Sequence, residues 1–523
     1  MGNKKIKHGW HWLLLAAGGL LMAVGGFTPQ SASSQQSASA PQLVVSIVVD
    51  QLRGDYLNYF LPSLGEKGFK RLMNEGLVYR SVDFGIPHKS EASSVASIYT
   101  GTYPSENGIT GDTRYDWTTN HVVPIVTDSK FLGNYTSDRF SPMPLLASTI
   151  GDELRQATGG KSKVFAIAPN AAAAIVSGGR NATCALWLDE SNGQWATSTY
   201  YRDFPNYIDR YNAKDAPANF PEKMWQQSHS NYAGFPYTQR TSPFLYTFEK
   251  SEKGNFRRFK QSALVNMEVT KLATYMIDQA PFRAVDAPDF FAITYYAGNY
   301  KYGKEAEEYS VEVQDIYYRL DAELEKLLEH LDKRVGLKNV LIVLSSTGYY
   351  DELNRTPAAG EFYPERCIAL LNMYLMAVYG EGNWVAACHD HQIYLNPKLV
   401  EEKKLNRQEL LQNAADFVEQ FSGVQSCAIT TQMPNAIGIH KKVSGDLSIE
   451  LQPGWLEMDA PNKPQAHSRN NNTLAPLIIW GNRIRHKQIS RTIKVTEIAP
   501  TVSSILHICA PNACEELPLQ EIL

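Results

Sequence analysis

The chain is predicted to fold as an α/β protein, with helices layered on both sides of a mostly parallel sheet. Three stretches predict this. LVVSIVVD (43–50), DFFAITYYAG (289–298) and NVLIVLSSTG (339–348) are near-continuous apolar runs, the pattern of strands buried on both faces. Between the last two lies EYSVEVQDIYYRLDAELEKLLEHLDKRV, whose apolar residues recur at helical spacing, as a crossover helix between parallel strands requires.

The first strand ends in Asp50, and open α/β sheets hold their ligands at such carboxyl-terminal tips. Asp50 also fits an N-cap for a helix predicted over Tyr56–Asn74. Further on, SPMPLLASTIGDELRQATGGKSKVFAIAPNAAAAIVSGG gives an amphipathic helix, a glycine turn, a strand and a small-residue segment. Residues 202–265 are rich in Tyr, Pro, Asn and Phe with weak periodicity, and are expected to lie over the sheet as an insertion. Such aromatic clusters suit a glycan or a partner protein, or simply a local core.

With 523 residues, 43% of them hydrophobic, the chain can bury a large core and is long enough for one large domain with insertions. A formal charge of -4 gives no basic footprint for a nucleic-acid partner. The first forty residues read as an export leader. Lys4, Lys5, Lys7 and His8 form a basic start, Trp12 to Phe27 an apolar run, and QSASSQQSASA a small polar exit. A retained anchor is the alternative, but the run is interrupted by glycines and falls short of the roughly 20 residues a spanning helix needs. The expectation is a periplasmic or otherwise exported protein that meets the membrane only transiently, through its leader. Six cysteines are too few for a disulfide scaffold. Cys509 and Cys514, in CAPNAC, could close a small loop or remain thiols.

The stretch Phe84–Tyr115, FGIPHKSEASSVASIYTGTYPSENGITGDTRY, has the layout of a loop feeding a helix built of small residues. Free N–H groups at such a helix start suit an anionic oxygen. Its ASIYTGTYPSENGITG resembles the segment after the nucleophile in the alkaline phosphatase superfamily, in the branch of PafA-like and nucleotide pyrophosphatase/phosphodiesterase-like enzymes. The resemblance implies a three-layer α/β/α sandwich over residues 41–523, with two surface insertions at about 181–265 and 353–465. It extends over ALLNMYLMAVYG, QIYLNPKLVEEKKLN, LLQNAADFVEQF, AHSRNNNTLAPLIIWG and VTEIAPTVSSILHICAPN.

The resemblance also implies a two-zinc site attacked by a threonine, and residue by residue this chain departs from it. The nucleophile position carries Glu91, and the Pro and His that follow it in the family fall on Ser93 and Val95. The family's phosphate-contacting Asn falls near Asp112, and its Lys-x-Arg clamp near Asn170 and Ala172. One zinc's Asp-x-x-x-His falls on Tyr296 and Tyr300, and the other's Asp-His on Ser346 and Thr347. Asp50 and His467 stand at retained ligand positions, one for each ion, which is too few to hold zinc.

The expectation is therefore a catalytically inactive, exported scaffold or binding module of the cell envelope, with no cofactor. Its partner would be an envelope protein or a glycan met through the aromatic-rich insertions. Two further expectations follow. If His88, Glu91, Asp50, Asp112 and His467 converge, they form an oxygen-rich site better suited to Mg or Ca than to Zn, and a rebuilt hydrolase results. Ser90 or Ser93 would then be the substitute hydroxyls. Without metal, a buried Asp50 needs a cationic partner, for which Lys89 is the nearest candidate.

Overall fold

The computed structural model describes residues 41–202, 205–228, 243–282, 287–302, 311–352, 359–433, 436–458, 466–470 and 473–522. The expected leader, residues 1–40, and residues 203–204 and 229–242 of the aromatic stretch 202–265 lie outside them. Among the described residues, no helix is long and apolar enough to cross a membrane.

Twelve strands carry the argument: β1 (Leu43–Asp50), β2 (Leu77–Tyr79), β3 (Gly133–Asn134), β4 (Val164–Ala168), β5 (Cys184–Leu188), β6 (Trp195–Ser198), β7 (Asp289–Tyr296), β8 (Val340–Ser346), β9 (Tyr350–Glu352), β10 (Ala466–Asn470), β11 (Leu477–Gly481) and β12 (Lys487–Ile489). Ten of them form one sheet in the order β12-β2-β11-β8-β1-β7-β4-β5-β6-β3. The five strands β8-β1-β7-β4-β5 run parallel, and β11 and β6 flank them antiparallel. Register aligns Asp50 with Tyr296 on one side and Val49 with Ser346 on the other, so the predicted site positions reach the same edge.

Side chains alternate along β1 between two cores. Leu43, Val45, Ile47 and Val49 face one, and Val44 and Val48 the other. The first core is closed by α1 (Gly54–Phe60), α2 (Phe69–Glu75), α6 (Ala263–Gln279) and α7 (Val311–Arg334), the second by α3 (Glu91–Thr100), α4 (Ile150–Ala157), α5 (Ala171–Gly178) and α10 (Ile498–Leu506). The result is the expected α/β/α sandwich. Cys184–Leu188 and Trp195–Ser198, early in the first stretch expected to be an insertion, are strands of the main sheet. Later in the chain, α8 (Pro364–Tyr379) and α9 (Arg407–Val418) pack with a four-stranded antiparallel sheet around a separate core that includes Leu371, Trp384 and Val418.

The single helix expected over Tyr56–Asn74 is instead two. After α1 the chain turns through Leu61–Ser63, and α2 begins at Phe69. A side chain from α7 holds the break: Asp321 accepts from the Gly65 N–H at 2.8 Å and the Phe69 N–H at 2.7 Å. A Cβ on Gly68 would lie 2.3 Å from Asp321 Oδ1, so the approach requires glycine. Asp321→Ala is expected to cost about 1–2 kcal/mol of stability by stripping the start of α2 of its acceptor. Urea unfolding measures this, and a change within error would show that the cap is dispensable. Asp50 does not cap α1 either: Arg53 occupies that position, without a side-chain cap.

All six cysteines are free. Cys514 Sγ faces the Thr496 and Glu516 carbonyls and Cys509 is exposed, so the CAPNAC loop is not closed by a disulfide.

Candidate functional site

The candidate site lies where the parallel strands end and α3 begins. Helix α3 starts with a reciprocal cap: the Ser93 N–H donates to Ser90 Oγ at 3.2 Å, and the Ser90 N–H to Ser93 Oγ at 2.9 Å. Both hydroxyls, the expected substitutes for a nucleophile, are thus engaged in shaping the helix. Ala92, Ser93, Ser94, Ala96 and Ser97 let all ten residues of α3 bury. The helix stops at Gly101, whose φ of 65° is left-handed and whose missing Cβ would stand 2.7 Å from Cys514 Sγ.

Glu91, at the first turn of α3, is buried and accepts a 2.7 Å hydrogen bond from Asn170 Nδ2. Two of the aligned positions are therefore brought into direct contact. Asp112 Oδ1 accepts from the Ala92 N–H at 2.9 Å, placing a second carboxylate on the same helix start. Asp50 accepts from Thr347 Oγ1 at 2.9 Å and from the Tyr349 hydroxyl, with Gln51 Nε2 3.5 Å away. Among the described residues no cation bonds to Asp50, which corrects the expectation for Lys89. The Lys89 ammonium has Asp83 as its carboxylate neighbour, while its backbone carbonyl accepts from Arg469. Hydroxyl and amide donors from the turns after β8 and β1 satisfy Asp50 instead.

Crowding these carboxyls in a dry site raises their proton affinity. Burial pushes Asp50 up to about 7, with Asp351 and Asp112 adding to the effect against the Tyr349 and Thr347 hydrogen bonds. Burial, Asp50 and Asp112 hold Glu91 well above the usual carboxylate range. Asp112 is raised by burial and partly relieved by Arg469.

Asp351 behaves in the opposite way. On β9 it pairs in register with Arg469 on β10, accepts from Arg469 Nε at 2.6 Å, and meets Lys301 Nζ at 2.9 Å. Burial would raise Asp351, but the two cations pull it down to about 2. Arg469 and Lys301 are thus directed to a structural carboxylate. Asp351, Arg469, Lys301, Lys260 and Tyr349 line the same cavity as Asp50, Glu91 and Asp112, a space of about 200 Å³. Sequence reasoning missed these five. A carboxylate just beyond the third strand tip was the available signal for Asp351, whereas Arg469 on its short strand offered none.

The zinc implied by the resemblance requires nitrogen, sulfur or carboxylate donors in near-tetrahedral array. The described residues at the other two strand ends do not fit it. Tyr296 donates its hydroxyl to the Asn299 carbonyl, and Tyr300 packs against Trp225 and Tyr246. Ser346 donates to the Leu52 carbonyl, and Thr347 to Asp50. Ala172 supplies no polar group. His467 lies on β10 opposite Glu457.

His88 does not join the carboxylates. It stacks on His391 of the inserted unit, ring centroids 4.5 Å apart and 9° from parallel, where burial and then His391 push it down to about 4. Among the described residues, no group of three or more His, Cys, Asp or Glu is arranged to hold a metal ion.

The type I phosphodiesterase/nucleotide pyrophosphatase family model matches residues 44–474. The chain belongs to that family. Within this family it is 29% identical to alkaline phosphatase PafA of Elizabethkingia meningoseptica, over 98% of each chain. It is 28% identical to alkaline phosphatase PhoV of Synechococcus elongatus, over 91% of this chain and 92% of that one. The crystal structure of wild-type PafA superposes with a TM-score of 0.78 at 27% identity, covering 92% of this chain and 99% of that chain. The chain is thus a PafA-like member of the alkaline phosphatase superfamily, as its framework motifs imply.

Proposed function

We propose that this protein is a phosphodiesterase-family member that has exchanged phosphoryl transfer for binding, and that it works as an exported module of the cell envelope. One observation carries the reading: the helix start that would receive a phosphoryl oxygen is occupied by the Glu91 and Asp112 carboxyls. In-line phosphoryl transfer needs cationic groups on the transferred oxygens. Of the cations lining this cavity, Arg469 and Lys301 are ion-paired with Asp351, and Lys260 with Glu190. A carboxylate at position 91 repels the anion it would have to attack.

The test uses purified full-length protein, assayed with p-nitrophenyl phosphate and bis-p-nitrophenyl phosphate, with and without added Zn, Mg or Ca. Expected are no hydrolysis above background and no stoichiometric zinc by elemental analysis. Turnover that survives repurification and disappears in Asp50→Ala would overturn the proposal.

A second reading, a divalent-metal hydrolase with a rebuilt site, is favoured by end-to-end similarity to proteins named as alkaline phosphatases and by five carboxyl side chains lining one cavity. Metal-stimulated turnover in the same assay would establish it. The envelope location rests on the basic and apolar leader, and sequencing the amino terminus of the exported protein should find it starting near residue 40. The partner, on this reading, is a glycan or another envelope protein.

A further inference from the structure

Three of the six cysteines share one place in the molecule, the separate core built on α8 and α9. Cys367 and Cys427 are buried in that core, and Cys388 packs against it from a half-buried position. Neither the candidate site nor the binding role proposed above uses these thiols.

Local geometry brings Cys367 and Cys388 together. Cys367 closes the first turn of α8, and Cys388 lies near the end of the strand Val385–His389, which packs against that helix. Asn372 Oδ1 fixes where the two elements meet, accepting from the Trp384 N–H at 2.7 Å and the Val385 N–H at 3.3 Å. From that tie, Cys367 lies five residues back along the helix, about 7.5 Å at 1.5 Å per residue. Cys388 lies three or four residues on along the strand, roughly 10–13 Å, so both thiols come to the same end of the pair. A bulge between Val385 and Ala387 shifts the alternation, and Cys388, opposite the buried Ile393, turns toward the core as Val385 does. The two thiols then share a hydrogen bond, which together with burial holds Cys388 well above the usual thiol range. Cys427 approaches Cys367 from the opposite edge strand of the sheet and is itself buried.

We propose that Cys367 and Cys388 are a redox-active pair that closes to a disulfide and staples the start of α8 to this edge strand.

The oxidant is a small-molecule or protein disulfide. Cys388, the more accessible thiol, loses its proton and attacks one sulfur of the oxidant, whose S–S bond breaks and releases the first thiolate. Cys367 then loses its proton, attacks the Cys388 sulfur and displaces the second. Two protons and two electrons leave the protein, and the oxidant ends as two thiols. The stapled strand runs on into His389, which bonds the Thr113 hydroxyl at 2.7 Å, and His391, which stacks on His88. The link would therefore brace the contacts that seat this unit against the loops on either side of the candidate site.

Tryptic mapping of the full-length protein tests this, because Arg366 and Lys398 bound a single peptide that carries both cysteines. After incubation with oxidised glutathione and alkylation under denaturing conditions, that peptide should be two hydrogens lighter than in the reduced protein and carry no alkyl group. The reaction should speed up as pH is raised above neutrality, since the thiolate is the attacking form. Cys367→Ser or Cys388→Ser should abolish the link, and Cys509→Ser, at an exposed thiol, should leave it intact. Closing a loop of about 20 residues should also raise the unfolding midpoint by a few degrees, an increase that dithiothreitol removes. Alkylation of both cysteines in the wild-type peptide overturns the proposal. So does glutathione left on Cys388 alone, or a link to the peptide that carries Cys427. A cross-linked protein that unfolds no higher than the reduced one overturns the staple. None of these outcomes bears on phosphoester turnover, which tests the binding reading separately.

Discussion

Arg469→Met should lower the unfolding free energy by about 2–3 kcal/mol. Removing one partner of a buried ion pair typically costs about 3–5 kcal/mol, because the remaining charge stays desolvated. The lower figure is expected here because a third of the Arg469 side chain reaches solvent and Lys301 still contacts Asp351. The variant also removes a donor to the Lys89 carbonyl, and with it a tie between β10 and the loop before α3. Adding Asp351→Leu should restore part of the loss, since replacing a whole buried pair is far milder than orphaning half of it. Urea unfolding of the two single variants and the double variant forms the cycle. A loss below about 0.5 kcal/mol for Arg469→Met would mean the pair does not hold these strands together.

Stability should also fall as pH rises through neutrality, and Glu91→Gln should blunt the fall. Asp50 is raised to about 7 and Glu91 lies well above its usual range, so the folded protein keeps protons that the unfolded chain has released. Stability then decreases with pH wherever the native state binds more protons. The window is about pH 6.5 to 8, because below it His88, held down to about 4, works in the opposite sense: its contribution is lost as pH drops from its unfolded value. Asp50's share of the fall ends near its folded value of about 7, and the rest is Glu91's, at up to about 1.36 kcal/mol per pH unit for one retained proton. Gln at position 91 can still accept from Asn170 while carrying no charge, so at pH 8 it should be the more stable protein. Thermal unfolding at pH 6.5 and 8 decides it. Equal slopes for the two proteins would show that Glu91 is not the titrating group.

The central strands were legible in the sequence because burial on both faces leaves near-continuous apolar runs in LVVSIVVD, DFFAITYY and VLIVLSS. The break between α1 and α2 was not legible, because the side chain that makes it, Asp321, lies 252 residues from Phe69. The same distance problem governs the site. Glu91, Asp112 and Asn170 were found by framework alignment and do gather at one helix start. Lys89 was favoured as Asp50's partner for nearness along the chain, whereas the actual donors include Thr347, 297 residues away. The Asp351–Arg469 pair joins two short strands 118 residues apart, which no local periodicity announces.

The position of β1 constrains how the molecule is made. Leu43 begins the first strand to be synthesised, yet its neighbours on either side begin at Asp289 and Val340. The central strand must therefore wait, unpaired, until nearly half of the polypeptide has followed it, and closure over such separations is slow. A nascent chain of this topology therefore keeps its central strand open until Asp289–Tyr296 has been made.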